Sequence, residues 1–368
     1  MDKLFVQKIN SYINSLQDAE HFMYYPSNFG LTQSGKNLKL GFSCYALKCL
    51  YITKEWDNLT IEKKDQWIDY INSFQKNING LPNNSFIDNE FINKHNSFNL
   101  LNKTKNFVKK NLSTLNLYTY EPPRKVLENN IRAETKQAIA TLYQVGKRNA
   151  NIYEDFPKDK SSIYNFLDSF NWNRPWHAGA QFSGLSVFTE TQLNGEQKAE
   201  NKNLLEQYIM SKINVGNGFY YSGPLPNSSE LINGSMKVLT GLDWLSIPIH
   251  KPKKLIDFCL LQKPLSEGCD LVDIVYVMYR CSLETNYKKI EIKNYFESLK
   301  KLIFSHFKES ESGFSYFTNK SQTSYYGINI TSGENVADLH GTLLLLWALS
   351  MIYDFENNEN ELFNIIKP

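Results

Sequence analysis

The segment SGENVADLHG places Glu334, Asn335, Asp338 and His340 within seven residues, immediately before a long apolar run. A carboxylate beside an imidazole is what proton transfer needs, because the acid can fix the ring tautomer and raise its basicity. Asp338, His340 and Glu334 are therefore candidate acid–base residues. The competing expectation is that Asp338 or Asn335 caps a helix and that His340 is a core histidine bonded to a backbone carbonyl. A second pair, Asp270 and Asp273 in CDLVDIVYVMY, has the spacing of neighbours on one helical face, which makes Asp273 a further candidate acid. Lys237 lies in NGSMKVLTGLDW, an otherwise apolar stretch opened by Asn233. A cation there must reach a cavity mouth, where it could hold a phosphate, a carboxylate or a developing oxyanion, or else pair with Asp270 or Asp273.

Aromatic and basic residues concentrate in NWNRPWHAGAQFSG, where Trp172, Arg174, Trp176 and His177 precede Gln181. Such rings stack on sugar faces or line an isoprenoid pocket, and otherwise pack between helices. His177, at a helix start, would point toward a mouth and is counted as a candidate catalytic residue. In IRAETKQ, Glu134 is either a substrate-facing acid or half of an ion-paired entry with Arg132 and Lys136. Tyr220, Tyr221, Tyr325 and Tyr326 suit carbohydrate chemistry. No glycine-rich phosphate loop, nucleophile elbow, CxxC pair or HExxH pattern occurs, so no nucleotide, flavin or nicotinamide cofactor is expected.

Six apolar segments would position these groups: GFSCYALKCLY from Gly41, AETKQAIATLYQVG from Ala133, HAGAQFSGLSVF from His177, NGSMKVLTGLDWL from Asn233, CDLVDIVYVMYRC from Cys269 and ADLHGTLLLLWALS from Ala337. Charged, one-faced stretches such as TIEKKDQWIDYINSFQ and KKIEIKNYFESLKKLIFSHF lie between them. Helices apolar on all sides alternating with one-faced helices predict an inner ring wrapped by an outer ring, an all-α (α/α)6 toroid. The polar starts of the inner helices would then surround one mouth. A single domain over 1–368 accounts for the length, with an irregular insertion at about 76–120 holding one helix over NKTKNFVKKNLSTL. GNGFYYSGPLP and SGFSYFTNKSQTSYYG read as loops tying one helix pair to the next.

Composition excludes several classes. Forty basic against thirty-eight acidic residues leave a net charge of +2, with no field to draw in nucleic acid or an anionic membrane. The N-terminus lacks a signal-peptide core, and the longest apolar run, near Leu343 to Ile352, is too short for a membrane span. Five cysteines, an odd number set mostly in apolar stretches, fit a reducing compartment and a cytoplasmic protein.

A Gly-Phe turn followed by a polar entry to an apolar helix, at Gly218-Phe219 and Gly313-Phe314 before the helices opening at Asn233, Asp270 and Asp338, resembles the repeat of the terpenoid cyclase and protein prenyltransferase α-toroid superfamily. The resemblance is clearest from about residue 170 to 353. It implies an isoprenoid-handling enzyme whose Asp/His pair moves protons at the mouth. The zinc ligands of that superfamily's prenyltransferases would fall on Asp273 and His340, but Val275 stands where their thiolate would be and only Cys269 could replace it. No metal or other cofactor is therefore expected. The Asp-x-Asp-Asp acid motif and aspartate-rich magnesium motifs are absent. Similar toroids perform carbohydrate chemistry as lyases, epimerases and hydrolases, and a third expectation is a scaffold that binds a glycan or isoprenoid ligand without turnover.

Overall fold

Helices carry most of the chain because its apolar residues recur at helical rather than strand spacing. A computed structural model describes residues 2–18, 22–96, 122–357 and 361–368, and these hold fifteen helices and three two-stranded hairpins. The predicted helix over NKTKNFVKKNLSTL lies outside the described residues.

The six apolar segments form α3 (Leu40–Ile52), α7 (Pro123–Gln144), α9 (Pro175–Gln192), α11 (Ser228–Trp244), α13 (Gly268–Glu284) and α15 (Leu339–Glu356). Helix α3 buries every residue but Tyr51, and α15 is buried over Gly341–Ile352 apart from Leu344, as their composition demands. The packing runs α3 on α7, α7 on α9, α9 on α11, α11 on α13, α13 on α15 and α15 on α3. Before and between them in the chain come α1 (Lys3–Ser15), α5 (Ile61–Asn72), α8 (Lys160–Asp168), α10 (Gly195–Met210), α12 (Pro252–Leu260) and α14 (Lys289–Phe304). These are one-faced. Helix α14 buries Ile292, Phe296, Leu299 and Ile303 against α13 and α15 and leaves its lysines outside.

The crossing of α9 on α11 is made close by glycines. A Cβ on Gly179 would stand 2.9 Å from the Gly234 carbonyl oxygen, and one on Gly234 would stand 2.6 Å from Pro175. Helix α11 starts earlier than the predicted Asn233 because Asn227 caps it, accepting the Glu230 amide. Helix α7 likewise begins at Pro123, well before Ala133.

Two expectations need correction. The described part of the presumed irregular insertion is ordered: β1 (Gln75–Lys76) pairs with β2 (Ser85–Phe86), and α6 (Asn89–Asn96) follows. Its physical purpose is visible in Asp88. Helix α3 has no cap of its own, and Asp88 Oδ2 accepts the Lys39 and Leu40 amides at 2.7 and 3.0 Å. The supposed tie loop SGFSYFTNKSQTSYYG is also two hairpins in part. Strand β3 (Phe307–Lys308) pairs with β4 (Gly313–Phe314), and β5 (Ser324–Tyr325) with β6 (Ile328–Asn329) through the two-residue turn Tyr326-Gly327. Both turn residues have positive φ, 44° and 74°, the geometry that matches a right-handed strand twist.

Chain ends complete the packing. Residues 26–32 zip onto 330–339, with Leu339 donating to the Pro26 carbonyl and Ser332 to that of Gly30. At the C-terminal ends of α3, α7 and α11, Asn364 donates to the Ile52 carbonyl, Lys367 to Gln144, and Trp244 to the Pro368 carbonyl. The tail thus crosses one end of the helix set, with Phe363 and Ile366 buried beneath it. Among the described residues no helix is long and apolar enough to cross a membrane.

Candidate functional site

The first turn of α15 is shaped by Asp338 and Gly341. Asp338 accepts the amides of Gly341 at 2.7 Å, Tyr316 at 2.7 Å and Gln322 at 3.0 Å, so it caps α15 and pins the 315–322 loop to it. Gly341 lets that loop approach, since a Cβ there would lie 2.3 Å from the Tyr316 nitrogen. Burial still raises the Asp338 carboxyl, to about 6, against the lowering effect of the amides. The expected Asp338–His340 side-chain pair does not form, because every bond shown for the carboxylate goes to the backbone.

His340 instead lies between two tyrosine rings, stacked on Tyr45 at 4.7 Å and on Tyr316 at 5.5 Å. Its Nδ1 meets Gln322 Oε1 at 2.9 Å, which places the ring proton there and leaves the Nε2 lone pair available. Burial first, and the Lys237 cation second, drive its pKa down to about 3. The imidazole is neutral throughout the physiological range.

Glu134 in α7 is buried and accepts a hydrogen bond from the Tyr325 hydroxyl, which the β5–β6 hairpin delivers. Its Oε2 has no hydrogen-bond partner among the described residues. Burial raises the Glu134 carboxyl to about 8, while Tyr325 and Lys48 pull the other way. Tyr325 fits because Gly41 carries no side chain: a Cβ there would lie 2.5 Å from the hydroxyl.

Asp273 in α13, which shares the influence of Lys237 with His340, is also buried, with Oδ2 unpartnered among the described residues. Burial raises it to about 7, opposed by Lys237 and assisted by Asp270. Asp270 accepts the Asn233 amide at 3.0 Å, a link between α13 and α11. The result is a cluster of two protonatable acids, a neutral imidazole, three tyrosines, Gln322 and the lysines Lys48 and Lys237, drawn from α3, α7, α11, α13, α15, the 315–322 loop and the β5–β6 hairpin.

Other predicted residues lie elsewhere. Trp172 is buried and donates to the Leu167 carbonyl at 3.1 Å, a packing role beside Tyr208. Arg174, Trp176 and His177 are exposed around the start of α9, where the Trp176 amide bonds Glu230 of α11, and Gln181 is half-buried one turn further in. Tyr220 is buried against His250 beside α12, away from the cluster, because its Gly-Phe turn packs on that helix. Glu334 is exposed and accepts from Ser332, so its carboxylate sits outside the cluster. Tyr326 is 42% exposed at the hairpin tip, its ring against Tyr325 and Phe91.

Four members of the cluster escaped the sequence reading: Tyr45, Lys48, Tyr316 and Gln322. Lys48 had a usable signal, a lone charge in the all-apolar ALKCLY. Nothing in the sequence marks Tyr45, Tyr316 or Gln322, whose roles come from contacts across the fold. As for zinc, among the described residues no three His, Cys, Asp or Glu side chains gather to hold a metal ion. Asp273, His340 and Cys269 therefore do not form the ligand set weighed above, and burial holds the Cys269 thiol up at about 12, far from the thiolate that binds zinc. No family model, no curated protein and no solved structure matches this chain.

Proposed function

We propose that the chain is an (α/α)6 toroid whose interior cluster performs acid–base chemistry on a polar, hydroxylated substrate of the carbohydrate class. The toroid reading is supported by the order of packing, in which α15 returns onto α3, and by the alternation of apolar with one-faced helices. The chemical reading rests on one observation: Glu134 and Asp273 are both buried, both shifted into the neutral range, and each has one carboxyl oxygen without a hydrogen-bond partner among the described residues. A general acid or base works best when its pKa is near the operating pH. Glu134, protonated and steadied by Tyr325, is suited to donate a proton, and Asp273 to accept one. His340, neutral and held between rings, offers Nε2 as a hydrogen-bond acceptor for a substrate hydroxyl. Tyrosine faces with Asn233 and Gln322 nearby fit a sugar better than a polyisoprenoid chain.

An isoprenoid reading draws on a different observation. Phe42, Tyr45 and Phe91 ring Tyr325 at centroid distances of 5.3, 5.9 and 6.3 Å, and a protonated acid beside aromatic faces suits carbocation chemistry. One experiment separates the readings. Wild-type protein is incubated in D2O with a panel of neutral sugars, sugar acids and prenyl diphosphates, and products and deuterium uptake are followed by NMR. The proposal expects conversion or exchange of a sugar or sugar acid, slowed about 100-fold or more in Glu134→Gln and in Asp273→Asn. Turnover confined to prenyl diphosphates would transfer the assignment to isoprenoid chemistry. Ligand binding without turnover would leave a scaffold.

A further inference from the structure

We infer that the substrate of this site carries an oxyanion, a phosphoryl or carboxylate group, held by Lys48, Lys136 and Lys237. This rests on the proposed interior site and adds what the ligand must bring to it. The three lysines come from α3, α7 and α11. Lys48 is 6% exposed, and Lys136 and Lys237 are half-buried. Charged groups removed from water need partners, and cations elsewhere in the chain have them. Lys212 meets Asp168 at 2.8 Å, Arg280 meets Asp243 at 3.1 Å, and Lys300 meets Glu356 at 2.9 Å. Among the described residues, none of the three interior lysines makes an ion pair or a side-chain hydrogen bond.

The acids that could have answered them are otherwise occupied. Glu134 holds its proton at neutral pH, Asp273 is only part-ionised there, and Asp270 is engaged by Asn233. The lysines also oppose one another. Burial lowers the pKa of Lys136 well below normal, with Lys48 and Lys237 adding to the fall, and Lys48 is lowered by burial with Lys237 contributing. Lys237 acts in the same sense on His340. Three mutually repelling lysines beside a Glu134 that keeps its proton, an Asp273 that keeps part of one and an Asp270 already bonded to Asn233 form a site short of negative charge. An entering oxyanion would supply it, and a low-dielectric setting strengthens each contact. Tyrosine, imidazole and amide groups around the lysines fit a hydroxylated carrier for that anion.

The test is isothermal titration of wild-type protein with inorganic phosphate, glucuronate and glucose at constant ionic strength, chloride serving as the baseline anion. Saturable millimolar binding of phosphate or glucuronate is expected, with phosphate alone assigning a phosphoryl group and glucuronate alone a carboxylate. Lys136→Gln and Lys237→Gln should each weaken that binding about tenfold, the usual worth of one charge-assisted hydrogen bond. Glu134→Gln should retain it, so loss of turnover with intact anion binding separates the chemistry from this inference. If the lysine variants fold poorly, reductive methylation of wild-type protein read by mass spectrometry replaces them. Phosphate or glucuronate should then protect Lys136 and Lys237 but not exposed Lys251. Neither anion binding more tightly than glucose, unchanged affinity in both variants, or no protection would overturn the inference.

Discussion

Glu134 shows how burial alone turns an ordinary carboxyl into a candidate acid. Its proton is retained to about 8 in the folded chain, against an ordinary value of 4.5. The folded state therefore binds the proton more tightly than the unfolded state, and stability contributed by the neutral acid is lost as pH rises through that window. Glu134→Gln removes the ionisation. We expect its melting temperature, relative to wild type, to rise steadily between pH 5 and pH 8, as read by thermal unfolding with circular dichroism. His340 works in the opposite sense, since burial depresses it to about 3. The unfolded chain binds that proton first as pH falls from the histidine's ordinary 6.5, so wild type should weaken relative to His340→Gln below that value and match its pH trend above it. A flat difference curve for either variant would refute the burial described for that residue.

At the scale of elements, small pieces outside the long helices hold the site. Asp88 supplies the missing cap of α3, and Asp88→Ala should cost about 1–3 kcal/mol in urea unfolding, the penalty for leaving buried amides unpaired. Loss below a few tenths of that would show that water replaces the carboxylate. The first turn of α15 depends on Gly341, where any side chain meets loop backbone. Gly341→Ala should destabilise by about 2 kcal/mol or more and also loosen Tyr316 from His340, visible as increased hydrogen exchange in residues 315–322. Tyr326 makes the opposite case. It holds a positive φ that favours glycine, but its ring lies against Tyr325 and Phe91, so in Tyr326→Gly about 1 kcal/mol of relieved backbone strain is offset by lost ring contacts and added chain entropy, and urea unfolding should show no net gain in stability.

For the whole molecule, contacts between residues far apart in the chain hold the helix set together. The first apolar helix packs on the last, residues 26–32 lie on 330–339, and the tail crosses the far ends of α3, α7 and α11. Deleting 361–368 exposes the space beneath Phe363 and Ile366 and frees Trp244 and Gln144. A loss of about 3 kcal/mol or more is expected from two buried side chains and their hydrogen bonds, measured by urea unfolding. An unchanged midpoint would show that the tail covers nothing that matters to the core.

Helix class and the alternation of apolar with one-faced segments were legible from residue types, because helical periodicity is a local property repeated many times along this chain. Lys237 and Asp273 were legible for a related reason: a charge inside an apolar helix is conspicuous wherever the helix goes. The Asp338–His340 pairing was misread, because adjacency in sequence does not say which way two side chains leave the first turn of a helix. Asp338 turned back to the loop amides and His340 toward the tyrosines. Tyr325 bonding Glu134, Asp88 capping α3, and Lys237 acting on Lys48 and Lys136 join residues from 48 to 191 positions apart. Such contacts depend on how the helices pack against one another, and the strong shifts of Glu134, Asp273 and His340 depend in turn on the burial that packing creates.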